Sequence, residues 1–197
     1  MKTITIAGER RYRLGKQAAK RLRREANVPC ILYGGKDGQV HFYTSVASLK
    51  VLIYTPNAHF VNLELGDDSY SCIIQDMQFH PVSEVVLHVD FLRTFENKSI
   101  TMQVPTKLVG QAPGVIQGGV LSSKLRKLPI HAYPKDMPEN IQVDVSSLEL
   151  GKMVRVGDLT TSNYTILTKH TIPVASVEIP RALRSATGKA EAQEATT

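Results

Sequence analysis

Two stretches of the sequence carry side chains suited to chemistry. The first is Gln75-Asp76-Met77-Gln78-Phe79-His80-Pro81, followed at short range by Leu87-His88-Val89-Asp90-Phe91. In an extended strand Leu87, Val89 and Phe91 share one face, and His88 and Asp90 share the other. Three uses of that polar face are open. It can be a plain solvated surface. It can hold a metal or an acid–base pair, with His80, His88 and Asp90 as the ligands or proton carriers, because His-x-Asp sets two ligands side by side. It can also read RNA, since Gln donates and accepts at once and His and Asp hydrogen-bond base edges or 2′-hydroxyls. A carboxylate facing RNA is repelled by phosphate, so it belongs only where base donors meet it, and there it specifies rather than attracts. The metal use lacks a third ligand at a recognisable spacing.

The second stretch is cationic. Eight basic residues fall between Arg10 and Arg24. Residues 1–36 hold ten basic residues against the two acids Glu9 and Glu25, a balance of +8, whereas the remainder has 14 basic and 16 acidic residues, a balance of −2. The whole +6 charge therefore sits in the first fifth of the chain and points to a polyanionic partner. Arginine outnumbers lysine there, which suits forked phosphate and base recognition. Tyr12 and Tyr33 lie among the cations and can pack on ribose or base.

Other chemistry finds little support. There is no P-loop, no G-x-G-x-x-G, no G-x-S-x-G elbow, no H-E-x-x-H and no zinc-type cysteine pair. Cys30 and Cys72 lie in apolar segments and read as inert core thiols, and two cysteines make no disulfide framework. His41, His59, His131 and His170 stand alone. No apolar run approaches the roughly 20 residues that cross a bilayer, and the opening MKTITIAGERRYRLG has no signal-peptide core. With 42% hydrophobic and 21% charged residues, the expectation is a cytoplasmic globular protein with no cofactor, no metal, no small-molecule substrate and no membrane partner.

The positioning elements follow from period and punctuation. Thr3–Ala7 alternates as a half-buried strand. A helix is expected from Lys16 to Ala26, with Gly15 as N-cap, Asn27 in the left-handed closing position and Pro29 as a stop. On it Lys16, Lys20 and Arg23 form a cationic ridge, opposite a thin stripe of Ala18, Ala19, Leu22 and Ala26. Strands at Cys30–Tyr33 and Val40–Tyr43 pair through the GGKDG turn. A second helix runs from Ser45 to about Tyr54, capped by Thr44 or Ser45 and ended by Pro56. Strands follow at Phe60–Leu65, Tyr70–Phe79 and Val85–Thr94. This half is a small, mostly antiparallel β domain with two helices. The second half is β-rich, with strands at Ile100–Leu108, Val120–Tyr133, Ile141–Asp144, Met153–Arg155, Tyr164–Leu167 and Ile172–Val177. Pro113–Gly114 and Gly118–Gly119 read as turns. The expected domains are 1–94 and 99–179, with 180–197 a flexible polar tail.

Four separated blocks carry a family resemblance. GKQAAKRLRREANVPCILYGGK, IIQDMQFHPVSEVVLHVDF, APGVIQGGVL and PENIQVDVSSLELGKMVRVGDL are similar, in order, to the bacterial large-subunit ribosomal protein twenty-five, or general stress protein Ctc, family in its long two-domain form. The resemblance implies an N-terminal β-barrel that binds 5S ribosomal RNA at its loop E region in the central protuberance, across the wide minor groove, with no catalysis. The matching positions are Arg11, Lys16, Lys20, Arg21, Arg23 and Tyr33 in the first block and Gln75, Gln78, His88 and Asp90 in the second. Two positions depart. Phe79 stands where many relatives carry a basic residue, and Lys20 stands where arginine is frequent. Neighbouring large-subunit RNA and ribosomal proteins are the other implied partners. A metal-dependent RNA hydrolase and a stress-linked RNA-binding module acting off the ribosome are the competing functions.

Overall fold

The computed structural model describes residues 1–35, 38–55 and 57–180. The tip of the GGKDG turn, Pro56 and the polar tail after Pro180 lie outside the described residues. The chain divides into two compact units, one formed by Met1–Met102 with His131–Glu139, the other by Gln103–Ile130 with the chain from Asn140 onward.

Six strands of the first unit close into a barrel: β1 (Thr3–Arg10), β2 (Asn27–Gly35), β3 (Gly38–Ser45), β4 (Phe60–Leu65), β5 (Asp68–Phe79) and β6 (Val86–Arg93), in the order β1-β3-β2-β6-β5-β4. Closure leaves no open strand edge. Four seams are antiparallel, and the β1–β4 and β2–β6 seams are parallel. Alternation along the strands sends Ile6, Val28, Cys30, Leu32, Phe42, Val61, Leu63, Cys72, Val89 and Phe91 into the interior, each no more than 4% exposed. The rings of Phe42 and Phe91 meet there with centroids 5.5 Å apart. Thr44 reaches inward too, and its Oγ1 donates to the Ala7 carbonyl at 2.7 Å, so the buried hydroxyl is satisfied.

Helix α1 (Lys16–Arg24) joins β1 to β2 and α2 (Val46–Ile53) follows β3. Ser45 caps α2, its Oγ accepting from Ser48 N at 3.2 Å, and Leu49 and Leu52 turn into the core. The first helix is shorter than its sequence suggests. It stops at Arg24, and Ala26 rather than Asn27 takes the left-handed conformation, with φ 58°. Asn27 is instead the first residue of β2, paired with Ser45, and the ladder holds it extended. Ala26 is therefore exposed and takes no part in an apolar stripe, which is left to the half-buried Ala18, Ala19 and Leu22. The segment His131–Glu139 completes this unit: Ala58 N donates to the Glu139 carbonyl at 3.1 Å, and Lys135 Nζ lies 3.1 Å from Glu96.

The later elements are β7 (Ile100–Val109), α3 (Pro113–Ile116), β8 (Val120–Ser123), β9 (Lys127–Ala132), β10 (Ile141–Asp144), β11 (Met153–Arg155), β12 (Thr165–Ile166) and β13 (Pro173–Glu178), all in the second unit except the first residues of β7, to Met102, and the last of β9, from His131. They form a four-stranded sheet β10-β7-β9-β12 and a three-stranded sheet β11-β13-β8. The expected single strand Val120–Tyr133 is two strands, because Lys124 N and Leu125 N both bond to the Val174 carbonyl and bend the chain out of β8. Pro113–Gly114 opens the short helix α3 rather than a turn, as Pro at a first helical position favours. Gly114 is fixed by crowding: a Cβ there would lie 2.6 Å from the Glu149 carbonyl carbon.

Candidate nucleic-acid interface

The polar residues of β5 and β6 meet on the outside of the barrel. In register, Gln78 lies opposite His88 and Asp76 opposite Asp90, and on the other side of β6 Asp90 lies opposite Ile31 of β2. Ile31 in turn pairs with His41 of β3. One rank thus crosses four strands as His41, Ile31, Asp90 and Asp76. Tyr33 stands two residues along β2 from Ile31, opposite Leu92. Burial first, then the charges of Asp90 and Asp76, raise the Tyr33 phenol above its usual pKa, so it stays a neutral donor beside the two carboxylates.

Two register slips build this face. Between Ile74–Phe91 and Asp76–Asp90 the β5 strand gains one residue, Gln75, a β-bulge. Unbroken alternation from the buried Cys72 would send Asp76 and Gln78 inward and Met77 outward. The bulge turns Met77 into the core, where it packs on the barrel cluster, and leaves Gln75, Asp76 and Gln78 exposed. The second slip falls at Leu87, between Gln78–His88 and Phe79–Val86. The Leu87 carbonyl accepts from Arg23 Nε of α1 at 3.0 Å. That bond ties the end of the cationic helix to the residue next to His88.

His88 Nδ1 and Asp90 Oδ1 lie 2.6 Å apart, both side chains 29% exposed. An ionised carboxylate only accepts, so Nδ1 carries the proton in this bond. Asp90 is oriented by this bond. Asp76, which lies in the first polar block but not among the positions matched to RNA contacts, faces it as a second carboxylate, turned outward by the bulge. The pair forms an acceptor-only surface that suits the amino group of guanine and 2′-hydroxyl donors.

The cations flank this face unequally. Lys16 and Lys20 are exposed on α1, a helix with no acid within it. Arg21 is held by Glu25, Nε to Oε1 at 2.9 Å, which raises its pKa, so part of its fork is occupied. Arg21, Arg23 and Arg24 fill the last turn, where the helix dipole favours positive charge. Arg11 sits in the β1–α1 loop, its N–H on the His41 carbonyl at 2.8 Å and its Nε on the Arg13 carbonyl at 3.1 Å. The loop is therefore fastened to β3 beside the rank, with Tyr12 86% exposed at its tip. Phe79 lies at the end of β5, 42% exposed.

Of the residues of the hydrolytic alternative, His88 and Asp90 pair with each other, while His80 is engaged in a turn. Nδ1 of His80 accepts from Val82 N at 3.3 Å and Ser83 N at 3.2 Å, which builds the β5–β6 turn. Among the described residues no group of three His, Cys, Asp or Glu side chains is placed to hold a metal ion.

Comparison with known proteins places both halves. The model of the ribosomal L25p family matches residues 6–91, and that of the ribosomal protein TL5 C-terminal domain matches residues 99–181. A "large ribosomal subunit protein bL25" of Amoebophilus asiaticus is 57% identical over 97% of this chain and 97% of its own length. Proteins of the same name from Cytophaga hutchinsonii and Porphyromonas gingivalis are 47% and 40% identical, over 93% and 96% of this chain and 95% and 99% of their own. The two family matches follow one another along the chain and the relatives match it at nearly full length, so the chain belongs to the ribosomal L25p family, in the form with a TL5-type C-terminal domain.

Proposed function

We propose that this chain binds the 5S ribosomal RNA of the large subunit at its loop E region, through the outer β2–β6–β5 face of the barrel and helix α1. Family membership makes the protein a structural, non-enzymatic constituent of the bacterial large ribosomal subunit, cytoplasmic with the ribosome itself. The 5S RNA assignment is a finer step, supported by the geometry of the face. The domain for this task is residues 1–94, with 99–179 as a second domain.

A-form RNA hides its major groove and offers a broad minor groove of 2′-hydroxyls and base edges. A short-sided polar sheet can lie on that surface where a helix cannot enter. Arg11, Lys16, Lys20, Arg21 and Arg23 supply phosphate contacts and most of the affinity, with steep salt dependence. Gln75, Gln78, His88 and Asp90 meet base and sugar edges, and Tyr33 contributes a phenol donor and an apolar ring. The observation that carries this assignment is the Arg23–Leu87 bond, which makes the cationic helix and the His88–Asp90 pair one continuous surface.

The test uses the full chain, isolated 5S RNA and a plain RNA duplex of equal length. Arg23→Glu weakens binding to both. Asp90→Ala mainly lowers the preference for 5S RNA over the duplex. Equal losses on the two RNAs after the Asp90 change refute a readout role, and an unchanged affinity for 5S RNA in both variants refutes the interface.

A further inference from the structure

The slightly acidic remainder of the chain is not uniform. From Asn97 to Lys135 there is no Asp or Glu, while Lys98, Lys107, Lys124, Arg126, Lys127 and Lys135 are present. Four of these, Lys107, Lys124, Arg126 and Lys127, belong to the second unit and cluster on β7 and on the β8–β9 turn. Thr106 N donates to the Arg126 carbonyl at 2.9 Å, which sets the turn against β7. Lys107 and Lys127 each stand one residue from that pair. Both are exposed, whereas Val104, Leu128 and Ile130 are buried, so the two lysines share the outward face of the four-stranded sheet. Gln142 of β10 lies opposite Lys107 and adds an amide to the same face.

The turn is fixed before any partner arrives. Lys124 N and Leu125 N bond to the Val174 carbonyl at 2.9 and 3.2 Å, and Thr106 Oγ1 donates to the Leu125 carbonyl at 2.8 Å. Lys124 is paired with Glu178. Among the described residues Lys107, Arg126 and Lys127 form no ion pair. Cations on a strand and a turn already held by backbone bonds lose little backbone entropy on docking.

We propose that this face with its adjoining turn, Lys107, Lys127 and Gln142 together with Arg126 of the turn, docks on the phosphate backbone of large-subunit RNA other than 5S RNA, as a positioning surface without sequence preference. The proposal rests on the ribosomal assignment above. Protein interfaces concentrate aromatic residues and shed lysine at their centres, and this face has lysine and no aromatic side chain. Gln103 and Gln142 are its amides, and its one carboxylate, Asp144 opposite Val109, accepts from Ser146 N at 2.8 Å, so the cations outnumber the acid and the face attracts more than it reads.

The experiment compares the full chain with its Lys107→Gln, Arg126→Gln, Lys127→Gln triple variant, after melting curves show equal folding. Binding is measured to isolated 5S RNA and to large-subunit particles stripped of this protein, across a salt series. The triple variant binds 5S RNA within about twofold of the parent. It binds the particles about tenfold more weakly, with a log–log salt slope shallower by about 2–3, since each phosphate left without its cation removes about 0.9 from the slope. Unchanged affinity and slope on the particles overturn the proposal. A weaker affinity with an unchanged slope assigns the face to a protein neighbour and overturns it as well. An equal loss on isolated 5S RNA merges this face with the barrel site and also overturns it. Arg23→Glu runs in parallel: if it leaves 5S binding intact, the barrel assignment fails, while the particle result for the triple variant is read independently.

Discussion

Replacing Asp76 with Asn should stabilise the free protein and weaken its choice of RNA. Asp76 and Asp90 are direct cross-strand neighbours on the outer barrel face. Side chains in such pairs lie about 5 Å apart, and like charges placed there cost roughly 0.2–1 kcal/mol. Coulomb's law gives about 0.8 kcal/mol for unit charges about 5 Å apart in a water-like dielectric, in agreement. Relief of about 0.5–1 kcal/mol corresponds to a rise in Tm of about 1–4 °C for a chain of this size. The gain should shrink as salt is raised from low to physiological ionic strength, because both carboxylates face solvent and are screened. Asp90→Asn is the informative partner. It relieves the same repulsion but also removes the carboxylate that accepts from His88 Nδ1, and a hydrogen bond to a charged group contributes about 1.5–3 kcal/mol. Asp90→Asn should therefore not raise the Tm. The assay is a thermal melt of both single variants at two salt concentrations, followed by 5S RNA and duplex binding. A Tm for Asp76→Asn at or below that of the parent in low salt refutes the argument, as does a rise in Tm for both variants.

Two further outcomes follow from the barrel. Gly34 has φ +97°, and a Cβ there would lie 2.7 Å from Leu92 Cδ1, so Gly34→Ala should cost about 1–3 kcal/mol, read as a lower denaturation midpoint at unchanged m-value. Cys30 and Cys72 are both buried, and burial pushes the Cys72 thiol up to about 12 and raises that of Cys30 further; in native protein at neutral pH neither should react with a thiol-alkylating reagent at an appreciable rate, and both should react once denaturant unfolds the barrel, as mass spectrometry would show.

Local structure was legible wherever one local rule acts alone. Phe60–Leu65, Ile141–Asp144 and Met153–Arg155 alternate cleanly between turn residues, and their strand limits match the sequence reading. An α2 cap at Thr44 or Ser45 was readable because a hydroxyl before an apolar run satisfies the first amides of a helix, and the fold gives the role to Ser45. The misread places are those where two rules compete. At Ala26 and Asn27 the left-handed preference of asparagine lost to the pairing of Asn27 with Ser45. Between Val120 and Tyr133 the run of β-forming residues hid a bend that only the Val174 carbonyl imposes.

The sequence by itself determined the charge of the first 36 residues, the polar character of the two central blocks and the apolar positions that build a β core. These depend on residue type and short spacing alone. The tertiary structure decided which polar residues face outward together. The bulge at Gln75, where β5 shifts its register against β6, sends Asp76 and Gln78 out and Met77 in. Barrel closure set β2 beside β6 in parallel, so Tyr33, from the first block, stands near Asp90, from the second. The slip at Leu87 falls where Arg23 can bond its carbonyl. A strand pairing between residues about 60 positions apart leaves no periodic mark on either segment, so the cationic helix and the reading face became one surface only on folding.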